Sequence, residues 1–219
     1  EHKFLKSLFS DYFKRVPIST YWDVSKNESD LLLRKALEVK GSDQVDFIKD
    51  FAGKLPLCVI LNVLGFPNEK IIEIASLSEI INRGADTFSS LTVAKEEKNE
   101  AVQKCFDLLF HAALGEWQAE KDALFEQVQG FVATRAISPE VAAANLLLLL
   151  FAGHETTIAL LGNLFYCLAS SPDQLQKLVQ DSSLIDSAVD EALRFESPLQ
   201  RSTFRVATKA FTLDGLKID

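Results

Sequence analysis

The spacing of apolar residues along the chain predicts helices over most of its length. Apolar positions recur every three or four residues, the repeat that gathers them on one face of an α-helix. The predicted helices cover, in chain order, 1–13, 20–39, 44–64, 68–83, 95–115, 117–135, 139–169, a segment beginning at Pro172, and 184–195. By contrast, the stretch 210–219 reads as two short strands joined at Asp214-Gly215, a dipeptide typical of a β-hairpin turn. The pattern therefore predicts a mainly α fold with one small hairpin near its C-terminal end.

The sequence also predicts which residues of these helices face the core and where some helices bend, begin or end. The leucines of the second helix, Leu31–Leu33 and Leu37, are expected to face inward. The helix over 44–64 is expected to bend at Pro56 and to end at Gly65. Ser171 begins the sequence Ser-Pro-Asp-Gln, whose spacing predicts a capping box at the start of the next helix. Residues 84–92 are expected to form a loop.

The longest helix is predicted over 139–169. Ser138 and Pro139 supply a favourable N-cap and a proline at the first helical position. Nothing breaks the pattern before Ser170, so the helix would extend for about 46 Å, the width of a domain. It is not expected to span a membrane, because Asn145, His154 and Glu155 interrupt its apolar run.

Composition narrows the class of protein. The 219 residues are 47% hydrophobic and 25% charged, which is ordinary for one globular domain covering 1–219, expected to be truncated at both ends. A net charge of −8 disfavours nucleic-acid binding, which requires clustered cations. The cysteines, Cys58, Cys105 and Cys167, are odd in number and widely spaced. They predict neither a disulfide framework nor a zinc site, and they favour a cytoplasmic location.

A cluster of small and polar residues, "AGHETT" (152–157), interrupts the long apolar helix. Ala152, Gly153 and Thr156 share one helical face, where the small residues leave a trough that a flat ligand could approach. The hydroxyl of Thr156 can bond back to a carbonyl one turn earlier. Glu155 would need a cation or ordered water if it were buried. An acid beside a hydroxyl can form a short proton relay.

The same cluster also fits close packing between buried helices, and taken alone it favours neither interpretation. A zinc site of the His-Glu-x-x-His type is excluded, because Ile158 occupies the position of the second histidine. No metal ligands are predicted in this chain. His154 is expected to lie at the surface or just behind a site.

A second motif decides between these interpretations. Glu191 and Arg194 stand three residues apart in "DEALRFESP", about 35 residues after the first motif. In this order the two motifs resemble those of the cytochrome P-450 superfamily of thiolate-haem monooxygenases. The resemblance implies that helix 139–169 crosses the oxygen side of the haem. It also implies that Glu191 and Arg194 form a structural ion pair behind the cofactor.

Weaker similarities extend over nearly the whole chain. The first helix resembles the one whose His and basic residue reach the haem propionates, which here would be His2 and Lys6. Residues 45–67 resemble a helix of soluble bacterial members that ends in Gly-x-Pro. The strand region "RSTFRVATKAF" is similar to the one that supplies an arginine to a propionate. Arg205 is the first candidate for that role and Arg201 the second.

The resemblance further implies roles and partners. Ala152 and Gly153 would line the oxygen side of haem b, Thr156 would hydrogen-bond the activated oxygen, and Glu155 would relay protons from solvent. The implied reaction inserts one atom of O2 into a C–H or C=C bond of a small organic substrate. The electrons would come from a ferredoxin- or flavodoxin-type donor.

One family feature is missing from these residues. The cysteine that binds the haem iron lies in a loop downstream of the Glu-x-x-Arg helix, and no cysteine follows Arg194 here. The ligand is therefore expected to lie outside this chain. Two hypotheses follow: the chain is the central part of a monooxygenase, or it is a haem-free helical module that binds another protein.

Overall fold

The computed structural model describes residues 2–38, 44–83, 95–199, 201 and 206–218. Its first half consists of four helices and one turn of π-helix. These elements are α1 (His2–Arg15), α2 (Ile18–Leu37), the π-helical turn Ile48–Ala52, α3 (Leu55–Leu64) and α4 (Asn68–Arg83). Helix α3 ends where Gly65 adopts a left-handed conformation, with φ of 82°, as the sequence predicts.

The second half contains the longest helix and the hairpin. In order these elements are α5 (Lys95–His111), a π-helical turn (Ala112–Glu116), α6 (Leu124–Ala133), α7 (Pro139–Ala169), α8 (Pro172–Gln180), a 3-10 turn (Ser182–Leu184), α9 (Ile185–Phe195), β1 (Phe211–Leu213) and β2 (Leu216–Ile218). The two strands are antiparallel and pair Phe211 with Ile218. Asp214 and Gly215 both have positive φ, which confirms the predicted hairpin turn.

Helix α7 is the central element of the fold. It packs against α3, α5, α8 and α9. Ser138 caps it by accepting a hydrogen bond from the backbone N–H of Val141, as predicted. Its first half is buried through residues Ala142, Ala143, Leu146 and Leu150. The mainly α fold with its long central helix is therefore confirmed.

The length and composition of α7 would also allow it to cross a membrane, with a mean hydropathy of 1.5, and no other described helix meets that test. Central helices of soluble proteins meet it equally well. One face of the N-terminal half of α7, at Ala142, Ala143, Leu146 and Leu150, is buried in the core, and that face accounts for part of its apolar character.

The expectation for α2 is confirmed for Leu32 and wrong for its other three leucines. Leu32 is buried, whereas Leu31 and Leu33 are each 46% exposed and Leu37 is more exposed still. Consecutive residues of a helix are rotated by about 100°, so three adjacent leucines cannot all face the same core. The pattern identified the helix correctly and its buried face incorrectly.

Three helix boundaries also differ from the expectations. Pro56 does not bend a helix but lies in the first turn of α3, where its missing N–H leaves no hydrogen bond unmade. Ser171 precedes α8 without making a side-chain capping bond, because its backbone is not in the extended conformation that a cap requires. Helix α6 begins only at Leu124, after Gly115 and Asp122 with positive φ interrupt the chain. The expected loop 84–92 lies outside the described residues.

Candidate functional site

The turn Ala152–Thr156 of α7 presents a hydroxyl on an open surface. Thr156 is half-buried, and its Oγ1 donates to the Ala152 carbonyl at 3.4 Å. This is the back-bond predicted from the sequence. Its length is near the limit of a hydrogen bond, so another acceptor could displace it at little cost. The helix continues unbroken on both sides.

The small residues of this turn leave the surface uncovered by the described part of the chain. Ala152 and Gly153 are both exposed, and Leu148, one turn earlier, is 64% exposed. A Cβ added at Gly153 would make only ordinary contacts with Ile60, at 3.5 Å. Packing among the described residues therefore does not demand glycine here. The open strip fits a flat apolar ligand lying against α7.

Glu155 is exposed on the same turn. The sequence had suggested that a buried acid would need a cation or an ordered water molecule, and its exposure removes that requirement. Glu155 is adjacent in the chain to Thr156, whose hydroxyl is half-buried. The turn thus exposes a carboxylate at the position before a partly shielded hydroxyl, and the two side chains leave the helix in directions about 100° apart.

His154 is not at the surface, contrary to the expectation. Only 1% of it is exposed, and its ring lies on the core side of α7. Its Nδ1 is 2.5 Å from the Leu150 carbonyl oxygen and its Nε2 is 2.8 Å from Oγ of Ser78 on α4. Burial lowers the pKa of His154, so the neutral ring is favoured. Because both ring nitrogens have partners, the burial of this polar side chain is compensated.

Ser78 is a residue that the sequence reasoning missed. It interrupts the buried stripe of α4 formed by Ile71, Ile74 and Ile81, at the spacing of three and four residues. A serine in such a stripe is a signal for a buried polar contact, because its hydroxyl needs a partner there. That partner is His154.

The ion pair predicted near the end of the chain is present. Arg194 donates from Nε and Nη2 to the two carboxylate oxygens of Glu191, each at 2.7 Å. The arginine lowers the pKa of the Glu191 carboxyl. Both side chains are more than half exposed, so solvent screens the pair strongly. Helix α9 is also tied to α7, because Asn163 Nδ2 donates to the Glu196 carbonyl at 2.8 Å.

The described contacts do not place the basic residues predicted to bind the propionates near the turn 152–156 of α7. Lys6 and Arg201 are exposed, and no hydrogen bond or ion pair among the described residues joins them to 152–156. His2 begins α1, and its side chain lies outside the described part. Arg205 lies outside the described residues as well.

The cysteines are unpaired thiols. Cys58 and Cys167 are half-buried and Cys105 is buried. Burial raises the pKa of Cys105 to about 12, so it stays protonated at neutral pH and is a poor metal ligand. Across the described residues, no group of three or more His, Cys, Asp or Glu side chains could hold a metal ion.

Sequence comparison finds bacterial cytochromes P-450 among the relatives of this chain. No model of a known protein family matches the chain. A cytochrome P-450 of Bacillus subtilis is 31% identical over 218 residues, which is 100% of this chain and 52% of that protein. The vitamin D(3) 25-hydroxylase of Pseudonocardia autotrophica is 32% identical over 80% of this chain and 42% of its own length. The chain thus spans about half the length of the curated relatives it matches.

Comparison with solved structures also finds cytochromes P-450. The crystal structure of P450BioI, in complex with an acyl carrier protein that bears hexadec-9Z-enoic acid, has a TM-score of 0.69 and 28% identity, covering 93% of this chain and 52% of that one. The ligand-free P-450 monooxygenase TamI has a TM-score of 0.72 and 26% identity, covering 100% of this chain and 51% of that one. The helical framework around α7 is therefore shared with proteins about twice as long.

Proposed function

Since this chain is related to the cytochromes P-450 along its whole length, we propose that residues 1–219 form the central portion of one haem-dependent monooxygenase domain. The reaction would insert one atom of O2 into a small organic molecule. The observation that carries the proposal is the open small-residue turn of α7 with the back-bonded hydroxyl of Thr156. A helix needed only for packing would not require a hydroxyl there.

The residues of this turn fit a haem. Ala152 and Gly153 leave room for a macrocycle to lie against α7, and the exposed Leu148 extends the apolar strip. His2, Lys6 and Arg205 would pair with the propionates of haem b. Lysine keeps the charge at position 6, but it lacks the bidentate fork of arginine. When bound, the haem would supply the activation of O2, which no side chain can perform.

The iron ligand would be a cysteine outside residues 1–219. Cys105 has its pKa raised to about 12 by burial, which disfavours the thiolate that iron requires. Burial also raises the pKa of Cys58. None of the three cysteines lies downstream of Arg194, where the family carries its ligand.

The chain's own side chains would position groups and move protons. The hydroxyl of Thr156 would exchange its long bond to the Ala152 carbonyl for one to the oxygen substrate. Glu155, exposed at the preceding position of the helix, would take up protons from solvent. The Glu191–Arg194 pair would have a structural role at α9.

The proposed partners follow from the same relationship. Electrons would come from a ferredoxin- or flavodoxin-type protein, and the whole enzyme would work in the cytoplasm. Substrates differ widely among the relatives: one hydroxylates vitamin D3 and another was crystallised with an acyl-loaded carrier protein. We propose only a small organic molecule as the substrate class here.

The decisive experiment is an absorbance spectrum of the full-length protein after reduction and treatment with carbon monoxide. A Soret band of the thiolate-ligated type is expected. A full-length protein that contains no haem would contradict the proposal. It would instead support the alternative, a haem-free module that binds another protein through the exposed apolar residues of α8 and α9, such as Val179 and Phe195.

A further inference from the structure

The described core buries two polar side chains other than tyrosine and cysteine, Ser78 on α4 and His154 on α7. They are hydrogen-bonded to each other, with 2.8 Å between Oγ and Nε2. Neither takes part in the proton path proposed above. A bonded polar pair in an apolar core adds little stability compared with apolar side chains, but it fixes the relative placement of the two helices that carry it.

The geometry sets the direction of this hydrogen bond. The Leu150 carbonyl can only accept, so Nδ1 of His154 carries the ring proton. Nε2 is then an acceptor, and Ser78 donates its hydroxyl proton to it. Burial lowers the pKa of His154 and keeps the ring in this neutral form. The ring is therefore held at both ends, once by its own helix and once by α4.

The position of His154 connects this bond to Thr156. Residues two apart on an α-helix point in directions about 200° apart, so the two side chains lie on opposite sides of α7. The buried side of this turn is attached to α4, and the open side presents the hydroxyl. An apolar side chain in place of His154 could fill the same space, but it would not restrain rotation of the turn about the helix axis.

We propose that the Ser78–His154 hydrogen bond is a positioning contact that holds the turn 152–156 of α7 in the rotation at which Thr156 serves the oxygen site. This inference rests on the proposed monooxygenase function for the role of Thr156. Whether the hydrogen bond restrains the turn can be measured by amide hydrogen exchange, independently of that function. In this proposal His154 and Ser78 are positioning residues that act through Thr156.

The test separates positioning from stability. In the full-length protein, Ser78→Ala combined with His154→Phe removes both partners of this hydrogen bond together, which is expected to cost less stability than removing either one alone. Hydrogen exchange of the amides 153–157 is expected to accelerate roughly tenfold, because a turn that is no longer bonded to α4 opens locally more often. Amides 142–149 of the same helix are the internal reference and should keep their rates.

Two further variants complete the design. Ser76→Ala removes an exposed hydroxyl from the same helix, one that donates to the Glu73 carbonyl, and should leave exchange at 153–157 unchanged. His154→Gln keeps a buried acceptor within reach of Ser78 and should restore slow exchange. With a substrate that the wild-type protein converts, the double variant should also release several-fold more peroxide per electron pair consumed.

The outcomes are distinct. A double variant with wild-type exchange at 153–157 would overturn the inference and leave the proposed function untouched. A wild-type protein without haem would overturn the proposed function, and the amide rates would still decide whether the bond holds the turn. Accelerated exchange in Ser76→Ala would also count against the inference, since the effect would not be specific to the buried bond.

Discussion

Thr156 is the residue whose chemistry can be tested most directly. Under the proposed function, Thr156→Ala in the full-length protein should leave haem binding intact while the share of electrons lost to peroxide rises by roughly threefold or more, because proton delivery would lose the donor assigned to it. Peroxide and product are measured per electron pair consumed. Thr157→Ala is the matched control, since Thr157 Oγ1 makes the same kind of back-bond, to the Gly153 carbonyl at 3.1 Å. Equal uncoupling in both variants would remove the role assigned to Thr156.

His154 should make the folded protein sensitive to acid. Burial lowers its pKa below the ordinary value of 6.5, so the unfolded chain takes up a proton first as the pH falls. The free energy of unfolding should therefore decline as pH drops below about 6.5, and His154 should contribute no such slope above that pH. Denaturant titrations of wild type and His154→Gln at several pH values measure the difference. Identical pH slopes would show that the ring titrates alike in both states.

For single residues, the sequence predicted local hydrogen bonds and ion pairs more reliably than it predicted which side chains are buried. The back-bond of Thr156 and the Glu191–Arg194 pair follow from local spacing, and both are present. The placement of His154 was wrong, because its burial depends on Ser78, a residue 76 positions away that offers the second hydrogen bond. A polar residue in an apolar helix can be assigned to the core only when its partner on another helix is known.

At the scale of elements, Gly65 fixes the end of α3. Its φ is 82°, and a Cβ there would lie 2.2 Å from Cβ of Ala123. Gly65→Ala should lower the free energy of unfolding by about 2 kcal/mol or more, since left-handed strain and the clash add. Gly130→Ala, in α6 with no atom within 4 Å of the new methyl, should raise it by about 0.5–1 kcal/mol. Thermal or denaturant unfolding of both variants checks the opposite signs.

The elements themselves were largely predictable, because the helical repeat of apolar residues and the residues that typically begin or end helices mark the same boundaries along the chain. Ser138-Pro139 begins α7, Gly65 ends α3, and Asp214-Gly215 makes the hairpin turn. What failed was orientation within an element. In α2 the run of leucines offers several equivalent faces, and the one that is buried is selected by the elements that pack against this helix, α3 and the turn Ile48–Ala52.

At the scale of the molecule, the C-terminal half of α7 and helices α8 and α9 expose much apolar surface. Phe195, Tyr166 and Val179 are all more than 60% exposed, and the three helices border an open groove of about 550 Å³. Residues 1–219 expressed alone should therefore self-associate, because contiguous exposed apolar surface drives aggregation. Sedimentation velocity measures this, and Val179→Glu with Phe195→Glu should reduce it. A monodisperse monomer that unfolds cooperatively would contradict the expectation.

The overall class was predictable because two spaced motifs in a long helical context are specific together. What lies against the exposed half of α7 could not be read from the pattern, since an apolar face is equally suited to a cofactor, another helix or another protein. The small residues of the open turn at Ala152 favour a flat cofactor among these three. The long hydrogen bond of Thr156, which another acceptor could replace, favours it as well.

The central position of α7 also constrains the order of events during synthesis. Helices α3 and α5 leave the ribosome well before residues 139–169, against which both pack. Until then, buried residues such as Leu61 and Leu109 have no completed core to enter. The nascent chain should depend on chaperones over this interval, and slowing translation just after α6 should lengthen its exposure to proteases.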